Sequence, residues 1–244
     1  MGVEPGGGVI VTTGTLYGIG TGPGDPELVT RKAWRITSEA GVIAYPAPEG
    51  GESFARSIMA EAIRPDAEEI IMAVPMVAGR APAQAIYDNG AEQIAEHLTA
   101  GRDVVVLCEG DPLFYGSFMY ILARLRDDFT TRIIPGVTSM TAAAASHNHA
   151  LVARNDILTV LPGTLDDTVL EQRLAGCDAA VIMKIGRHLP RLKALLRRLG
   201  LAGRAFYTSH ASLAHEQAVP LVDAPDEAPY FSIIIIYKGD DPWI

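Results

Sequence analysis

The sequence predicts an α/β protein of two domains, and three features predict it. Apolar strand-like runs alternate with amphipathic helical stretches through the first 145 residues, the pattern of a mostly parallel sheet with covering helices. A polar stretch, "SHNHALVARND", interrupts the alternation from Ser146. Near the end two strand-like runs follow in close succession, which implies mixed or antiparallel pairing. The expected division is an N-terminal α/β domain over 15–145 and a C-terminal α/β domain over 146–244, with a ligand cleft between them.

The N-terminal strands fall at Leu16–Gly20, Val42–Tyr45, Glu69–Val74, Asp103–Cys108 and Arg132–Ile134, each a short apolar run. Helices are expected at Pro26–Ala40, Ser53–Ile63, Ala83–Ala100, Ser117–Arg126 and Val137–His147. In the first of these, Val29, Ala33, Ile36 and Ala40 repeat at the 4-3-4 spacing of a buried stripe. Asp25 reads as its N-cap, with Pro26 at the first helical position. Beyond the break, strands are expected at Ile157–Leu161, Ala179–Lys184, Arg204–Thr208, Gln217–Leu221 and Tyr230–Tyr237, and helices at Asp166–Leu174 and Leu189–Leu199. No long internal repeat is evident.

The 244 residues are 48% hydrophobic and 20% charged, an ordinary globular balance. A net charge of -9 argues against sequence-independent nucleic-acid binding, which relies on Lys and Arg neutralising phosphates. Two cysteines make no disulfide framework, which suits a reducing, cytoplasmic setting. The apolar runs fall short of the roughly 20 residues of a membrane span. "MGVEPGGGVIVTTG" has no basic region and reads as a loose tail.

"LYGIGTGPGDPELVT", Leu16–Thr30, looks at first like a phosphate loop between strand and helix. Its spacing fits neither the dinucleotide fingerprint nor the mononucleotide loop, because Pro23 or Asp25 takes the required third glycine and no Lys-Ser or Lys-Thr follows. Pro23 also lacks the N–H that such a cradle uses. The loop is instead shaped for close backbone approach. Gly-Asp-Pro recurs at Gly110–Pro112 in "VVVLCEGDPLFYGS", again directly after an apolar strand, where open α/β sheets place their sites. Glu109 and Asp111 there can accept from ribose hydroxyls or an amino group, and Leu113, Phe114 and Tyr115 can wall a ring; a plain strand-to-helix turn reads equally well.

Thr138 and Ser139 open a small-residue helix in "IIPGVTSMTAAAA", as caps or as ligand contacts. "VIMKIG" ends a strand with Met183 and Lys184, where the methionine can simply fill core. His147, His149, His210 and His215 show no zinc-binding spacing, so no metal is expected, and surface or packing roles fit them. No Gly-x-Ser-x-Gly elbow occurs. Arg31, Lys32 and Arg35 make a basic helix face that is either solvated or attractive to carboxylates.

Taken in order, "GIGTGPGDPELVT", "VVVLCEGDPLFYGS", "RIIPGVTSMTAAAA" and "VIMKIG" resemble the tetrapyrrole methyltransferases that use S-adenosylmethionine. The resemblance runs from about Leu16 to the last strand, and "AYPAPEGGESFAR" and "CEGDPLFYGSFMYI" look most like the branch that methylates carbon 20 of precorrin-2 in cobalamin biosynthesis. It implies that the first loop lies in a tetrapyrrole trough, that the donor sits between the domains, and that the protein is a homodimer. It also implies donor contacts by Pro23, Glu109, Gly110, Asp111, Phe114, Thr138, Ser139, Met183 and Ala211, many through the backbone.

Two departures matter. Where one branch of the family carries a proton-accepting aspartate after the second strand, this chain has Pro46. The family's Glu-Asn-Ala segment reads Ser209-His210-Ala211, so only the alanine carries over and no catalytic residue is assigned. An electron-rich tetrapyrrole carbon and a sulfonium need alignment more than acid–base help. Three other readings stand beside this one: a cobalt-containing substrate, a protein or RNA substrate on the same fold, and a non-catalytic module that binds the adenosyl donor.

Overall fold

The computed structural model describes residues 12–75 and 81–239, so most of the N-terminal stretch read as a tail lies outside the described residues. The chain divides into two compact units: residues up to Thr21 with Val29–Gly136, and Gly22–Leu28 with the chain from Val137 onward.

In the first unit, β1 (Leu16–Gly20), β2 (Val42–Pro48), β3 (Glu68–Val74), β4 (Val104–Cys108) and β5 (Thr131–Ile134) form one sheet in the order β3-β2-β4-β1-β5. Every pairing in it is parallel. β4 is buried at all positions because it has layers on both faces. Val104, Val106 and Cys108 pack toward α3 (Ala81–Thr99) and α4 (Phe118–Leu125). Val105 and Leu107 pack toward α1 (Arg31–Glu39) and α2 (Phe54–Ile58), whose Ala33 and Ala55 are fully buried, as is Met59 just past α2.

The expected helix Pro26–Ala40 is two pieces. Pro26–Leu28 is a single 3-10 turn, and Asp25 caps only that turn, its Oδ1 accepting from the Glu27 N–H at 2.8 Å. Thr30 is extended, with φ -65° and ψ 141°, and its hydroxyl accepts from Ala33 N–H at 3.2 Å, so the α-helix starts afresh at Arg31. The second helix is also shorter than expected: Ser53 caps it, and the chain beyond Met59 is turn rather than helix.

In the second unit, β6 (Leu158–Pro162), β7 (Ala179–Met183), β8 (Ala205–Ser209), β9 (Gln217–Pro220) and β10 (Ser232–Tyr237) form a sheet in the order β6-β7-β10-β8-β9. β6 and β7 run parallel, whereas β10 is antiparallel to both β7 and β8. This is the mixed sheet that the closely spaced final strands predict. Ile234 and Ile236 face α6 (Asp167–Ala175) and α7 (Leu189–Arg198), and Ile233 and Ile235 face α5 (Ser139–Ser146).

The compact units part after Gly136, whereas the sequence reading divides the chain after residue 145. The difference is α5, whose Ala142, Ala143 and Ala144 lie against Val181, Ile233 and Ile235 of the second sheet. Nothing in an alanine-rich helix reveals which sheet it covers. Likewise the loop Gly22–Leu28 groups with the second unit, where Asp25 N–H donates to Ser212 Oγ at 3.1 Å.

Candidate active site

β1 and β4 are neighbours in register, Gly20 opposite Cys108, but their following helices lie on opposite faces of the sheet. Such a reversal leaves an open crevice at the carboxyl ends of the two strands. The turn that carries Gly110-Asp111-Pro112 leaves directly from it. Thr21 closes the end of β1 by donating its N–H and its hydroxyl to Cys108 O, at 2.9 and 3.2 Å.

Three glycines meet here. A Cβ on Gly136 would stand 2.0 Å from Gly110 O, and one on Gly20 would stand 2.5 Å from Gly136 N and 2.7 Å from Gly110 O. The close approach expected of the first loop is therefore backbone against backbone. It leaves main-chain groups, rather than side chains, to line the strand ends.

Glu109, Gly110, Asp111 and Phe114 come together in the turn after β4, as expected, but the two acids are partly committed. Asp111 Oδ1 accepts from Leu113 N–H at 2.9 Å, shaping the turn, and its Oδ2 accepts from Gly136 N–H at 3.1 Å, tying that turn to the chain after β5. Glu109 accepts from the backbone N–H of Ala55 at the start of α2, and burial pushes its carboxyl above the ordinary carboxylate range. Leu113 and Tyr115 remain exposed, and the rings of Phe114 and Tyr115 stand edge to face at 5.2 Å.

Helix α2, which meets Glu109, is itself anchored by ions. Arg56 makes a bidentate pair with Glu69 of β3, both contacts at 2.8 Å, and Tyr45 OH donates to the same carboxylate at 2.5 Å. The Arg56 guanidinium, with help from Tyr45, holds the Glu69 carboxyl below its ordinary value. A carboxyl lowered on folding contributes stability above its unfolded pKa of about 4.3 and loses it as pH falls through the folded value. Melting temperatures taken from pH 7 to 3 should therefore fall less steeply on the acid side for Glu69→Gln than for the parent. Parallel curves would show that the triad does not couple to folding.

Of the candidates in the second unit, Thr138, Ser139, Met183 and Ala211 share the α5 face of its sheet. Thr138 is the N-cap residue of α5, yet its side chain makes no capping bond; its hydroxyl lies 3.1 Å from Thr141 Oγ1. Met183, at the end of β7, and Ala211, just past β8, belong to the apolar cluster under α5. Pro23 sits in the loop whose Gly24 packs against Leu213 and whose Asp25 bonds Ser212, two and one residues past Ala211.

Lys32 and Arg35 do not join these strand ends. They line a 570 Å³ cavity with Gly101, Arg102 and Asp103, which precede β4, and with Arg132 of β5. Arg35 is also paired with Glu39 at 3.1 Å. Among the described residues no three His, Cys, Asp or Glu side chains are placed to hold a metal ion.

A signal that sequence reading missed is backbone strain. Tyr115, Lys184, His210 and Ser212 have φ of 56°, 56°, 50° and 70°, a left-handed conformation that side chains disfavour. Lys184 and His210 each directly follow a strand, β7 and β8, and Tyr115 lies in the turn after β4. Asn148 and Arg154, between α5 and β6, share this conformation, with φ of 49° and 43°. Where it occurs at strand ends, strain of this kind is characteristic of functional sites, whose surrounding structure holds it in place. Residue type does not reveal it, since none of the four is glycine.

The family model for tetrapyrrole (corrin/porphyrin) methylases matches residues 15–223. The chain belongs to that family. It is 40% identical to the precorrin-2 C(20)-methyltransferase of Sinorhizobium sp over 235 residues, 93% of this chain and 96% of that protein. It is 44% identical over 235 residues to the cobalamin biosynthesis protein CobIJ of Mycobacterium tuberculosis, and there it spans 46% of the longer protein, about half its length. Among solved structures, the uroporphyrin-III C-methyl transferase of Thermus thermophilus shares the family's fold, with a TM-score of 0.68 at 24% identity over 92% of this chain and 98% of that one.

Proposed function

We propose that the chain transfers a methyl group from S-adenosylmethionine to carbon 20 of precorrin-2, giving precorrin-3A in cobalamin biosynthesis. The observation that carries this is the near-complete overlap, at 40% identity, with the Sinorhizobium enzyme of that activity. A cobalt-containing substrate is the second reading, favoured by 32% identity over 229 residues to the cobalt-precorrin-2 C(20)-methyltransferase of Salmonella typhimurium. The higher identity leans the assignment toward the metal-free macrocycle.

The residues present suit the donor. The Gly20, Gly110 and Gly136 contact leaves main-chain groups where a side chain would intrude, and the turn after β4 carries the rings of Phe114 and Tyr115, edge to face at 5.2 Å. In this proposal Glu109, Gly110, Asp111 and Phe114 bind it from one turn, and Pro23, Thr138, Ser139, Met183 and Ala211 bind it through backbone and small side chains. The donor supplies a methyl group on a positively charged sulfur. The protein aligns it with the accepting carbon and excludes water.

No helix among the described residues is long and apolar enough to cross a membrane, and the proposed setting is the cytoplasm, as a homodimer acting on a small molecule rather than nucleic acid. Calorimetry should show S-adenosylmethionine or its demethylated product binding with a dissociation constant in the low micromolar range or tighter, about -8 kcal/mol. Incubation with precorrin-2 and with its cobalt form, following methyl incorporation, separates the two substrates. Binding with no transfer to either would leave a donor-binding module instead of an enzyme.

A further inference from the structure

Methylation of a meso carbon replaces its hydrogen, so a proton must leave. The bond to the methyl carbon forms at carbon 20 while the sulfur–methyl bond breaks, its electron pair staying on sulfur. The carbon–hydrogen bond then breaks, its pair returning to the macrocycle, and the proton needs an acceptor. Pro46 stands where one branch of the family carries an aspartate, and Glu109 is partly committed, accepting from the Ala55 N–H at the start of α2.

The loop after β8, Ser209-His210-Ala211-Ser212-Leu213-Ala214-His215-Glu216, holds two imidazoles together in a strained backbone. Their ring centroids are 4.3 Å apart. The loop is fixed from three directions. His210 N–H donates to Phe231 O at 2.8 Å, Ser212 N–H to Glu216 Oε2 at 2.5 Å, and Asp25 N–H to Ser212 Oγ at 3.1 Å. Phe231 stands edge-on to His210 with centroids 6.5 Å apart, and Tyr230 beside it is exposed. The His210 and His215 side chains make no hydrogen bond to protein among the described residues. Strain of this kind, at the carboxyl end of a strand, is held by the surrounding structure, and here the strained loop carries two titratable rings.

We propose that His210, with His215 against it, accepts the proton released from the methylated carbon. The inference rests on the C-methylation proposed above. The two rings stand with centroids 4.3 Å apart, so a charge on one is unfavourable to a charge on the other. Burial and His215 both draw His210 below the ordinary imidazole range, so it stands neutral and ready to accept near pH 7. Two acidic residues are tied to the same loop through Ser212: Glu216, which accepts from Ser212 N–H, and Asp25, whose N–H donates to Ser212 Oγ.

The test uses the full chain with precorrin-2 and S-adenosylmethionine, comparing His210→Gln and the double variant His210→Ala/His215→Ala with the parent. For the parent, kcat should rise with pH through a limb below the ordinary imidazole value and then level off. Both variants should lose that limb and about 100-fold or more in kcat, with donor affinity by calorimetry and the circular dichroism spectrum unchanged. A double variant that keeps kcat within about twofold of the parent, with the same pH profile, overturns the assignment. So does a loss of turnover matched by equal loss of donor affinity or of folded signal, in either variant. A parent chain that binds the donor but methylates nothing overturns the proposed function and this inference with it.

Discussion

Gly136→Ala is expected to destabilise the protein by about 3 kcal/mol or more, at the upper end for overpacking. The new methyl would lie 2.0 Å from Gly110 O and within 3.0 Å of Gly20 backbone atoms. Main-chain atoms cannot rotate out of the way as the end of a flexible side chain can. β1, β4 and the chain after β5 would have to separate, and the hydrogen bond from Gly136 N–H to Asp111 would go with them. Gly41→Ala is the matched control, since a Cβ there meets nothing within 4 Å. Thermal melts should show a drop of roughly 10 °C for Gly136→Ala and almost none for Gly41→Ala. Equal melting temperatures would mean that the three strand ends relax at little cost and that the tight meeting of glycines is not what shapes them.

Asp111→Ala should weaken donor binding by about 1–3 kcal/mol, and stability by a similar amount, because two backbone N–H groups lose a charged acceptor. The two effects have a common cause: Asp111 sets the turn that carries Gly110 and Phe114 and ties it to Gly136. Asp111→Asn keeps one acceptor oxygen and should fall between the parent and Asp111→Ala in both measurements. Asp25→Ala is the contrast, since the Asp25 carboxylate accepts from the N–H of Glu27 two residues on, within its own turn. Its loss should cost about 1 kcal/mol of stability, as for a cap, reduce turnover, and leave donor affinity nearly unchanged. Calorimetry and melting curves on the three variants decide the matter. Normal donor affinity in Asp111→Ala would remove this turn from the binding site.

The strands were the most legible elements, for a reason visible in β4 and β10. A strand covered on both faces must be apolar at every position, so "VVVLC" and "SIIIIY" announce themselves. Helix ends were less legible where two caps compete. Asp25 with Pro26 has the composition of a helix start, yet Thr30 is where the α-helix begins, because its extended backbone and its hydroxyl satisfy the first turn. In the candidate site, the turn Glu109–Phe114 was legible as a cluster, but its division of labour was not. A carboxylate that shapes its own turn and one that faces a ligand are the same residue in the sequence.

By itself the sequence determined the α/β alternation, the two sheets, the membership of the family and the residues that cluster after β4. These follow from hydrophobic period and from motifs in a set order, which are local properties of the chain. Only the tertiary structure decided that α5 covers the second sheet, that Gly20, Gly110 and Gly136 meet backbone to backbone, and that His210 and His215 stand 4.3 Å apart on a strained loop. The first two bring together residues far apart in the chain. The third depends on backbone angles that few non-glycine residues adopt, and residue type does not mark which ones do.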